Sequence, residues 1–581
     1  MNAEQLLQHF ERISEAPDAL PRLRRFILDL AVRGKLVEQD PSDEPASELL
    51  KRIAAEKARL VKDGRIKKAE AVANLTASFD VFCVPTGWAV SNLQSICQSV
   101  TDGDHLPPPK AETGIPFLVI GNVRSQKIEF EGSRFVPNSY YDALDSIRRP
   151  RSGDLLYTLV GSYGIPVLVR DDQPFCVQRH IGILRPSALI NVGFLARAME
   201  SRFAYEQATA CATGIAQKTV SLSGLRKLML PLPPLAEQHR IVVKVDELMS
   251  LCDQLEAAKA EREKCRDSLV AASLQGLNQP AEKEAAFREH ARFTFNNLPR
   301  ITTRAVHIKQ LRQTILNLAV RGKLVEQAPS DEPASELLKR IGAEKARLVK
   351  AGKIKREKPL PPISQSDKAF EVPSGWEWVR LGDLTMLVTS GSRDWAKHYS
   401  NNGAIFVRMG NLSKDHYRLR LDHIQRVKAP ADGEGTRTRL EPGDILISIT
   451  GEVGMLGLIP DGFGEAYINQ HTAMVRPVAA MKGRYLAELF RSQFAQAQFK
   501  EPQRGIKNSF RLTDVTQFVV PLPPLAEQHR IVAKVDELMA ICDQLETQIT
   551  ATEQDSRRFL ESVLADALAP GIDLRAVAQV A

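Results

Sequence analysis

Residues arranged for catalysis are scarce in this chain of 581 residues. No GxxxxGK[ST] loop is present to cradle a nucleotide, and no Asn/Asp-Pro-Pro-aromatic tetrad is present for methyl transfer to an amino group. No HExxH motif or Cys/His cluster has the spacing of a metal site. Neither Pro17-Asp18 nor Pro460-Asp461 is followed by (Asp/Glu)-x-Lys at a nuclease-like spacing. The sequence therefore predicts no catalytic residue and no metal.

Polar side chains recur in pairs that suit hydrogen bonding. The triplet Gln178-Arg-His180 corresponds to Asn469-Gln-His471 in the other half of the chain. For the histidine of each triplet a structural hydrogen bond is favoured, and contact with nucleic acid stays open as the alternative. His239 and His529 stand at the start of a repeated helix, where capping or packing is favoured over catalysis.

These residues lie in a tandem duplication. Residues 231–256 match 521–546 with three differences, and residues 31–62 match 319–350 with two. The inserts between the matched blocks, 76–230 and 366–520, have diverged widely. A repeat has to be recognised before the fold is predicted. Two nearly identical frames with two different inserts indicate a shared scaffold that presents two different recognition surfaces.

Composition limits the class of protein. The net charge is +8, and it is spread evenly: the first insert has 15 Lys and Arg against 13 Asp and Glu, and the second has 20 against 17. Bulk charge therefore permits nucleic acid without requiring it. No run of 18 apolar residues, no secretory signal and no CxxC pair occurs. We expect a cytoplasmic protein with reduced thiols.

Apolar periodicity predicts the helices of the frame. A stripe from Leu20 to Leu30 precedes Gly34, a plausible helix stop, and a second helix begins at 43–45. A long helix follows each insert, with a heptad seam that begins at Ile241 in the first copy and extends to Leu269. In the second copy the seam runs from 531 to 563. Residues 276–300 are predicted to form a turn before a returning helix at 308–318, which indicates antiparallel coiled-coil packing.

The inserts are predicted to share an α+β fold. Short strand-like runs alternate with glycine and proline in both. Shared landmarks follow in the same order: Gly121-Asn-Val and Gly410-Asn-Leu, Gly153-Asp-Leu-Leu and Gly443-Asp-Ile-Leu, Gly161-Ser-Tyr-Gly and Gly451-Glu-Val-Gly, Arg185-Pro and Arg476-Pro. The predicted division is an N-terminal helical region (1–75), a first recognition domain (76–230), a central helical region (231–365), a second recognition domain (366–520) and a C-terminal helical region (521–581).

The repeated motifs carry a family resemblance. Pro-Leu-Pro-Pro-Leu-Ala-Glu-Gln-His-Arg-Ile-Val at 231 and 521, Leu-Ala-Val-Arg-Gly-Lys-Leu-Val at 30 and 318, and Pro-x-Gly-Trp at 85 and 373 resemble the specificity subunit of type I restriction-modification systems. The insert openings, Val100-Thr-Asp-Gly-Asp-His105 and Thr389-Ser-Gly-Ser-Arg-Asp-Trp395, resemble two variants of its target recognition domain. The resemblance covers nearly the whole chain.

The resemblance implies a fold and a set of partners. Two target recognition domains are held apart by antiparallel helices with an internal pseudo-twofold repeat, and each domain reads one half of a split, asymmetric site in double-stranded DNA. Half-sites about one helical turn apart, roughly 10 bp, are expected. The helices hold two modification (adenine methyltransferase) subunits, and restriction (translocase-nuclease) subunits join them. S-adenosylmethionine, ATP and Mg are expected on those partners, as is the pocket for a flipped adenine. No cofactor is expected in this chain.

Candidate DNA contacts are chosen by their loop position. Phosphate contacts position a protein on DNA and base-edge contacts read the sequence, and Arg, Lys, Gln, Asn and Ser on glycine-bounded turns can supply both. Arg393 and Lys507 are the leading candidates, because both lie in glycine-flanked polar loops. For every single candidate, ordinary solvation remains the alternative. The candidates are His105, Lys110, Ser162, Tyr163, Gln178, Arg179 and Lys218 in the first insert, and Ser392, Arg393, Lys397, Gln470, Arg504, Lys507 and Asn508 in the second.

Two other classes of function compete with this interpretation. One is a self-contained nuclease or methyltransferase with its own recognition domains, which the missing cofactor and metal motifs disfavour. The other is a coiled-coil adaptor that binds only proteins, for which two diverged inserts on matched frames are less natural. Methylation of DNA by the pure chain would favour the first, and failure to give a methyltransferase a sequence preference would favour the second.

Overall fold

The computed structural model of the chain describes residues 16, 18–67, 84–124, 127–214, 217–278, 284–356, 358–430, 433–500 and 509–568. They form two compact units, Met1–Arg262 with Thr552–Ala581, and Glu263–Ala551. Each unit contains one frame and one insert. The two long helices of the repeat are each divided between the units.

The first unit holds the first frame and the first insert. Its helices are α1 (Ala19–Val32), α2 (Ala46–Lys62), α3 (Leu93–Ile96), α4 (Asn138–Ala143), α5 (Val192–Glu200), α6 (Arg202–Cys211), α7 (Leu222–Lys227) and the first part of α8 (Leu235–Asn278). Its strands are β1 (Ala89–Asn92), β2 (Cys97–Asp102), β3 (Ile115–Leu118), β4 (Val123–Arg124), β5 (Lys127–Ile128), β6 (Arg134–Val136), β7 (Leu155–Thr158), β8 (Pro166–Leu168), β9 (Cys176–Val177), β10 (Ile181–Pro186), β11 (Ala212–Thr213), β12 (Thr219–Val220) and β13 (Met229–Leu232).

The second unit repeats the main elements of this order. Its helices are α9 (Glu284–Ile301), α10 (Ala305–Val320), α11 (Ala334–Lys350), α12 (Glu434–Arg437), α13 (Tyr485–Arg491), α14 (Gln493–Lys500), α15 (Leu512–Thr516) and the first part of α16 (Leu525–Leu568). Its strands are β14 (Glu377–Arg380), β15 (Thr385–Ser390), β16 (Tyr399–Ser400), β17 (Ala404–Val407), β18 (Gln425–Val427), β19 (Ile445–Ser448), β20 (Leu456–Leu458), β21 (Ala466–Ile468), β22 (Thr472–Pro477) and β23 (Val519–Leu522).

Both inserts are built on the same main sheet. The strand order is β2-β10-β7-β8 in the first and β15-β22-β19-β20 in the second, with every neighbouring pair antiparallel. A second sheet contains one parallel pair, β3 with β9 in the first insert and β17 with β21 in the second. The prediction of one α+β fold for two diverged inserts is confirmed.

A buried ion pair fixes the same corner of each main sheet. Arg185 Nε and Nη2 donate to the two carboxylate oxygens of Asp154 at 2.9 and 2.7 Å, and both side chains are at most 9% exposed. Arg476 makes the equivalent pair with Asp444 at 2.8 and 2.7 Å. A bidentate pair of this kind holds two planes in one orientation. These arginines and aspartates are the shared landmarks of the sequence, so the landmarks mark the scaffold.

Each insert is closed at its base by its own first and last strands. β1 pairs with β13, so that Ala89 lies opposite Leu232, and β14 pairs with β23, so that Glu377 lies opposite Leu522. The chain therefore leaves the frame and returns to it at adjacent backbone positions. Changes within an insert need not alter the path of the frame.

The repeated blocks of the first frame converge on one buried carboxylate. Glu237, in the first turn of α8, is 1% exposed and accepts hydrogen bonds from Trp88 Nε1 at 2.9 Å and Gln39 Nε2 at 3.2 Å. Gln39 also donates to the carbonyl of Gly34 at 2.8 Å. Gly34 has a positive φ of 64°, and Pro85 and Trp88 pack where a Cβ would stand. Only glycine meets both conditions, so the predicted helix stop is confirmed.

The second frame repeats this arrangement. Glu527 accepts from Trp376 Nε1 at 3.0 Å and from Gln327 Nε2 at 3.0 Å, and Gln327 also donates to the carbonyl of Gly322 at 2.7 Å. Burial raises the pKa of Glu527, against the hydrogen bonds from Gln327 and Trp376, which lower it. Burial likewise raises the pKa of Glu237, against the hydrogen bonds from Gln39 and Trp88, which lower it. Within each frame, the two matched sequence blocks are thus constrained by their contact with each other.

Antiparallel helix packing occurs within each unit, but not between the end of α8 and the predicted returning helix, α10. These two run in the same direction, because Asp267 contacts His307 and Asn278 contacts Thr314. In the first unit Arg24, in α1, pairs with Asp253 and Glu256 of α8 at 2.7 and 2.8 Å, whereas Gln39, beyond the end of α1, contacts the first turn of α8. The direction of α1 is therefore opposite to that of α8. The equivalent residues of the second unit, Arg312, Asp543 and Glu546, pair at 2.6 and 2.7 Å.

The long helices depart from the predicted heptad seam. Ile241, Val245 and Cys252 are buried as predicted, but Leu255 is 38% and Leu269 47% exposed. The buried apolar positions further along α8 are Val270, Leu274 and Leu277. Ile241, Val245 and Cys252 pack in the core of the first unit, whereas Val270, Leu274 and Leu277 pack in the core of the second. The seam to Leu269 is wrong because the two parts of α8 bury their apolar side chains in different cores.

The second long helix follows its predicted seam for longer. Ile531, Val535, Cys542, Leu545 and Val563 are all buried. Burial of both seam cysteines, Cys252 and Cys542, also agrees with the small apolar role expected of them.

The predicted turn over 276–300 is wrong for most of its length. Residues 284–301 form the helix α9, whose Phe287, Ala291 and Phe295 pack against the core of the second unit at successive four-residue spacings. Polar residues on the other face of α9 concealed this stripe. His290 Nε2 lies 2.8 Å from the carbonyl of Ser273, which ties α9 to the end of α8.

Removing the buried partner of Arg476 is expected to destabilise the second unit. Asp444→Ala leaves a guanidinium that is only 14% exposed without its main counter-ion, and breaking such a pair costs about 3–5 kcal/mol. Glu441→Ala removes the half-exposed partner of the same arginine and should cost less than about 1 kcal/mol. Urea unfolding of the full chain measures both. Equal losses in the free energy of unfolding for the two variants would show that the buried Arg476–Asp444 pair contributes no more than the half-exposed one.

Loss of the tryptophan N–H should destabilise the frame in a pH-dependent way. Trp376→Phe removes a donor to a buried carboxylate, which costs about 1–3 kcal/mol when that group is ionised. Because the folded-state pKa of Glu527 is raised, the folded chain binds more protons than the unfolded one above the ordinary pKa, and the contribution to stability falls as pH rises. The indole N–H of Trp376 lowers the pKa of Glu527, so its removal raises that pKa further. The loss of stability should therefore be larger at pH 7 than at pH 4.

Trp378→Phe provides the matched control for that variant. The ring of Trp378 packs against Phe370 and Phe494, with centroids 5.1 and 5.7 Å away. Its replacement removes apolar contact, so the loss in urea unfolding should be the same at both pH values. A pH-independent loss for Trp376→Phe would contradict the role given to Glu527.

Candidate nucleic-acid interface

Four segments of the first insert meet at one end of its main sheet. This end holds the C-termini of β2 and β7 and the N-termini of β10 and β8, because Asp102 lies opposite Gly182, Thr158 opposite Ile181, and Tyr157 opposite Pro166. The segments are 103–106, 159–165, 178–180 and 213–214 with 217–219. We call this end the loop end of the first insert.

Backbone hydrogen bonds join these segments. Leu159 N donates to the carbonyl of His180 at 2.9 Å, and Val220 N donates to the carbonyl of Leu159 at 2.8 Å. Gly161 N donates to the carbonyl of Lys218 at 2.9 Å. The loops are therefore held by the sheet and by one another, which leaves their side chains as the variable part.

The second insert has a loop end of the same construction. Ile449 N donates to the carbonyl of His471 and Phe510 N to the carbonyl of Ile449, at 2.9 and 2.8 Å. Thr450 forms a bridge with Ser509 as Val160 does with Thr219. Its described segments are 391–398, 449–455 and 469–471, together with Ser509. Equivalent segments thus surround equivalent sheet ends in both inserts.

One glycine in each insert permits the closest of these approaches. Gly103 N donates to the carbonyl of Ile181, and a Cβ on Gly103 would collide with the backbone at Val177 and Gln178. A Cβ on Gly391 would collide in the same way with the backbone at Ile468 and Asn469. Backbone packing therefore requires glycine at 103 and at 391, in the motifs that open the two inserts.

Five of the predicted residues of the first insert come together at its loop end. Their side chains are exposed or partly exposed, and His105 Nε2 lies 3.1 Å from the carboxylate of Asp102. Burial, together with the neighbouring Arg179, lowers the pKa of His180, so His180 is neutral at pH 7. The five residues are His105, Ser162, Gln178, Arg179 and Lys218.

The two other candidates of the first insert are placed differently. Lys110 is exposed on the stretch before β3, beside the bridge from Ala111 to Phe135 of the second sheet. Tyr163 is only 9% exposed, stacks on Tyr205 at 5.6 Å and donates its hydroxyl hydrogen to Thr209 at 3.0 Å. The aromatic ring of Tyr163 serves the core, so its prediction as a DNA contact is not supported.

Four candidates of the second insert lie at its loop end. Ser392 accepts a hydrogen bond from Asp394 N at 3.3 Å and begins the short 3₁₀ helix Arg393–His398. Trp395 anchors this helix with its ring centroid 5.1 Å from those of Phe406 and Tyr467. Arg393 and Lys397 are exposed on the anchored helix, and Gln470 is partly exposed in the neighbouring turn. Arg504, Lys507 and Asn508 lie outside the described residues.

Sequence reasoning missed one polar contact at this end. His471 Nδ1 lies 2.6 Å from Thr450 Oγ1, and His471 Nε2 lies 2.8 Å from Gln470 Nε2. The structural hydrogen bond favoured for His471 is therefore present. The available signal was the difference between Thr450 and Val160 at equivalent positions beside two shared histidines.

Metal and membrane sites were also sought. Within the described residues, no group of three or more His, Cys, Asp or Glu side chains could hold a metal ion. No helix in the same part of the chain is long and apolar enough to cross a membrane.

Comparison with known proteins identifies the class. The family model for the type I restriction modification DNA specificity domain matches twice, over residues 85–262 and 373–552. The EcoAI type I restriction enzyme specificity subunit of Escherichia coli is 34% identical over 573 residues, covering 94% of this chain and 93% of the relative. The EcoEI specificity subunit of Escherichia coli is 32% identical over 606 residues, with the same coverage.

The chain belongs to the specificity subunits of type I restriction-modification systems. The relatives are named as specificity subunits, so the prediction of a non-catalytic subunit, in place of a self-contained enzyme, is confirmed. The HsdS subunit from Thermoanaerobacter tengcongensis has a crystal structure that is 19% identical, with a TM-score of 0.43 over 85% of this chain and 99% of that chain.

Arg393→Ala is expected to weaken binding to the DNA site by about 1–3 kcal/mol if the guanidinium reads a guanine. Arg393 is an exposed cation of the anchored 3₁₀ helix, and its removal disturbs no core contact of Trp395. A gel-shift titration of the full chain at fixed salt measures the change. Lys482→Ala, an exposed cation beside Gly443 at the opposite end of the main sheet, is the control and should leave affinity unchanged. Unchanged affinity for Arg393→Ala would remove it from the interface.

Proposed function

We propose that each insert reads one half of an asymmetric, bipartite site in double-stranded DNA through its loop end. The single observation that carries the proposal is the equivalence of the two loop ends, which share backbone hydrogen bonds and differ in their side chains. Arg179 in one insert, for example, stands where Gln470 stands in the other. Arginine suits guanine and glutamine suits adenine. One scaffold with two sets of side chains therefore suits a site whose halves differ.

The charge of the loop ends fits contact with a duplex. Exposed Lys218 in the first insert and Lys397 in the second can contact phosphates. The guanidinium groups of Arg179 and Arg393, and the amides of Gln178 and Gln470, can contact base edges. The mild net charge of each insert means that this local clustering, and not bulk charge, supplies the attraction.

We further propose that the long helices set the gap between the half-sites and dock the methyltransferase subunits. α8 and α16 each contain 44 residues, about 66 Å of helix. Large apolar side chains are exposed along them, among them Val243, Leu251 and Ile541. Clustered exposed apolar residues are typical of protein interfaces, and the two frames offer two similar surfaces for two subunits.

The chemistry then belongs to the partners. Adenine methylation, translocation and cleavage, with S-adenosylmethionine, ATP and Mg, are assigned to the modification and restriction subunits in the cytoplasm. An adaptor that binds only proteins is disfavoured, because it would not need two loop ends with different polar residues.

The proposal is tested by sequencing the methylome of a strain that expresses this subunit with its methyltransferase. The expected result is a split motif with methylated adenine on both strands and a fixed gap of roughly one helical turn between centres. The methyltransferase expressed alone is the control and should give no such motif. A continuous motif, or no motif, would contradict the bipartite site.

Exchange of an insert within the chain tests which half reads which part of the site. Replacing Ala89–Leu232 with Glu377–Leu522 puts β14 in the place of β1 and β23 in the place of β13. These strands are equivalent, so the new insert meets the frame at the same backbone positions. The chimera should direct methylation to a site that contains the second half-site twice and the first not at all. The reverse replacement should duplicate the first half-site. Changes in both halves after one exchange would show that the inserts do not act independently.

A further inference from the structure

We propose that Gln470 reads an adenine in the second half-site and that His471 and Thr450 are positioning residues that fix its amide. The inference rests on the proposed function, since it names one base that this loop end reads. It concerns Thr450, His471 and Gln470, which we call the Thr-His-Gln chain.

The Thr-His-Gln chain uses both nitrogens of the histidine ring. In the observed orientation Gln470 Nε2, an amide nitrogen that can only donate, lies 2.8 Å from His471 Nε2. His471 Nε2 must therefore accept, and in the neutral ring the proton is then on Nδ1. Nδ1 lies 2.6 Å from Thr450 Oγ1, which accepts that proton in a hydrogen bond. The threonine hydroxyl thus fixes the position of the ring, and the tautomer with an accepting Nε2 holds the amide.

The amide held in this way keeps the atoms that adenine requires. An amide nitrogen carries two hydrogens, and His471 engages only one of them. The remaining hydrogen and Oε1 can face outward together as a donor beside an acceptor. Adenine offers the complementary pair in the major groove, an acceptor at N7 and a donor at N6. A free glutamine side chain can turn its amide over, so fixing the amide excludes the reversed pattern.

The backbone beneath the chain is also fixed. His471 O accepts from Ile449 N at 2.9 Å, which ties the turn to the segment that carries Thr450. Asn469 Oδ1 accepts from His471 N at 3.1 Å and from Thr472 Oγ1 at 3.2 Å. The two ends of the Thr-His-Gln chain therefore stand on segments that are bonded to each other, as a preorganised contact requires.

The first insert lacks this arrangement at the equivalent positions. Val160 replaces the threonine and has no hydroxyl, and Arg179 replaces the glutamine. Arg179 Nε lies 3.4 Å from His180 Nε2, so the histidine accepts from a guanidinium. The shared histidine is thus combined with two different base-reading side chains. His180 supplies an internal control for changes at His471.

Selection of bound sequences from randomised duplex DNA tests the inference on the full chain. The wild-type chain should select a two-part motif, and Gln470→Ala should lose preference at one A·T pair of the second half by about 5- to 150-fold. His471→Ala and Thr450→Val should relax the same pair by at least about fivefold and leave the other positions unchanged. Thr450→Ser keeps the hydroxyl and should retain the preference. His180→Ala should change no position of the second half.

The results of the selection distinguish failure of the Gln470 inference from failure of the proposed function on which it rests. Failure of the wild-type chain to select any motif would overturn the proposed function and the inference together. A motif whose second half is unchanged in His471→Ala, or is relaxed at all positions together with a lower thermal midpoint, would overturn the inference alone. The inference is likewise overturned if Gln470→Ala alters no A·T pair, or if Thr450→Ser behaves like Thr450→Val.

Discussion

The buried carboxylate at the start of each long helix is the contact on which the rest of the structure depends. Glu237 and Glu527 each join three parts of the chain: the loop after the first frame helix, the Pro-x-Gly-Trp that opens the insert, and the helix that follows the insert. A buried carboxylate needs its donors, because unpaired burial of a charge is expensive. The glutamine and the tryptophan each supply one of its two side-chain donors, which is a physical reason for both frames to keep these residues.

The inserts are free to diverge because their own constraints lie elsewhere. A buried Arg–Asp pair fixes one corner of each main sheet, a glycine permits the close approach of the first loop, and paired terminal strands close the base. None of these features occupies an exposed side chain of the loop end. Positions such as Arg179 and Gln470 can therefore vary while the scaffold keeps its shape.

Much of this organisation could be predicted from the sequence, and the failures have physical causes. Repeats and landmarks gave the duplicated α+β architecture, since identical residues at a constant shift imply identical contacts. The seam to Leu269 is wrong because the two parts of α8 pack in different cores, which local periodicity cannot show. The turn over 276–300 is wrong because polar residues conceal the spacing of Phe287, Ala291 and Phe295. Tyr163 looked like a loop contact, but its ring points into the core, and local sequence cannot show side-chain direction. The Thr450–His471 contact was missed because it joins residues 21 positions apart.

The near identity of the two frames has an evolutionary consequence. Residues 231–256 and 521–546 differ at three positions, and 31–62 and 319–350 at two, so their coding stretches are candidates for exchange by homologous recombination. Because each insert begins and ends between such stretches, and because its terminal strands lie side by side, an exchange there transfers a complete folded module. Under the proposed function, a lineage would thereby acquire a new target in a single event.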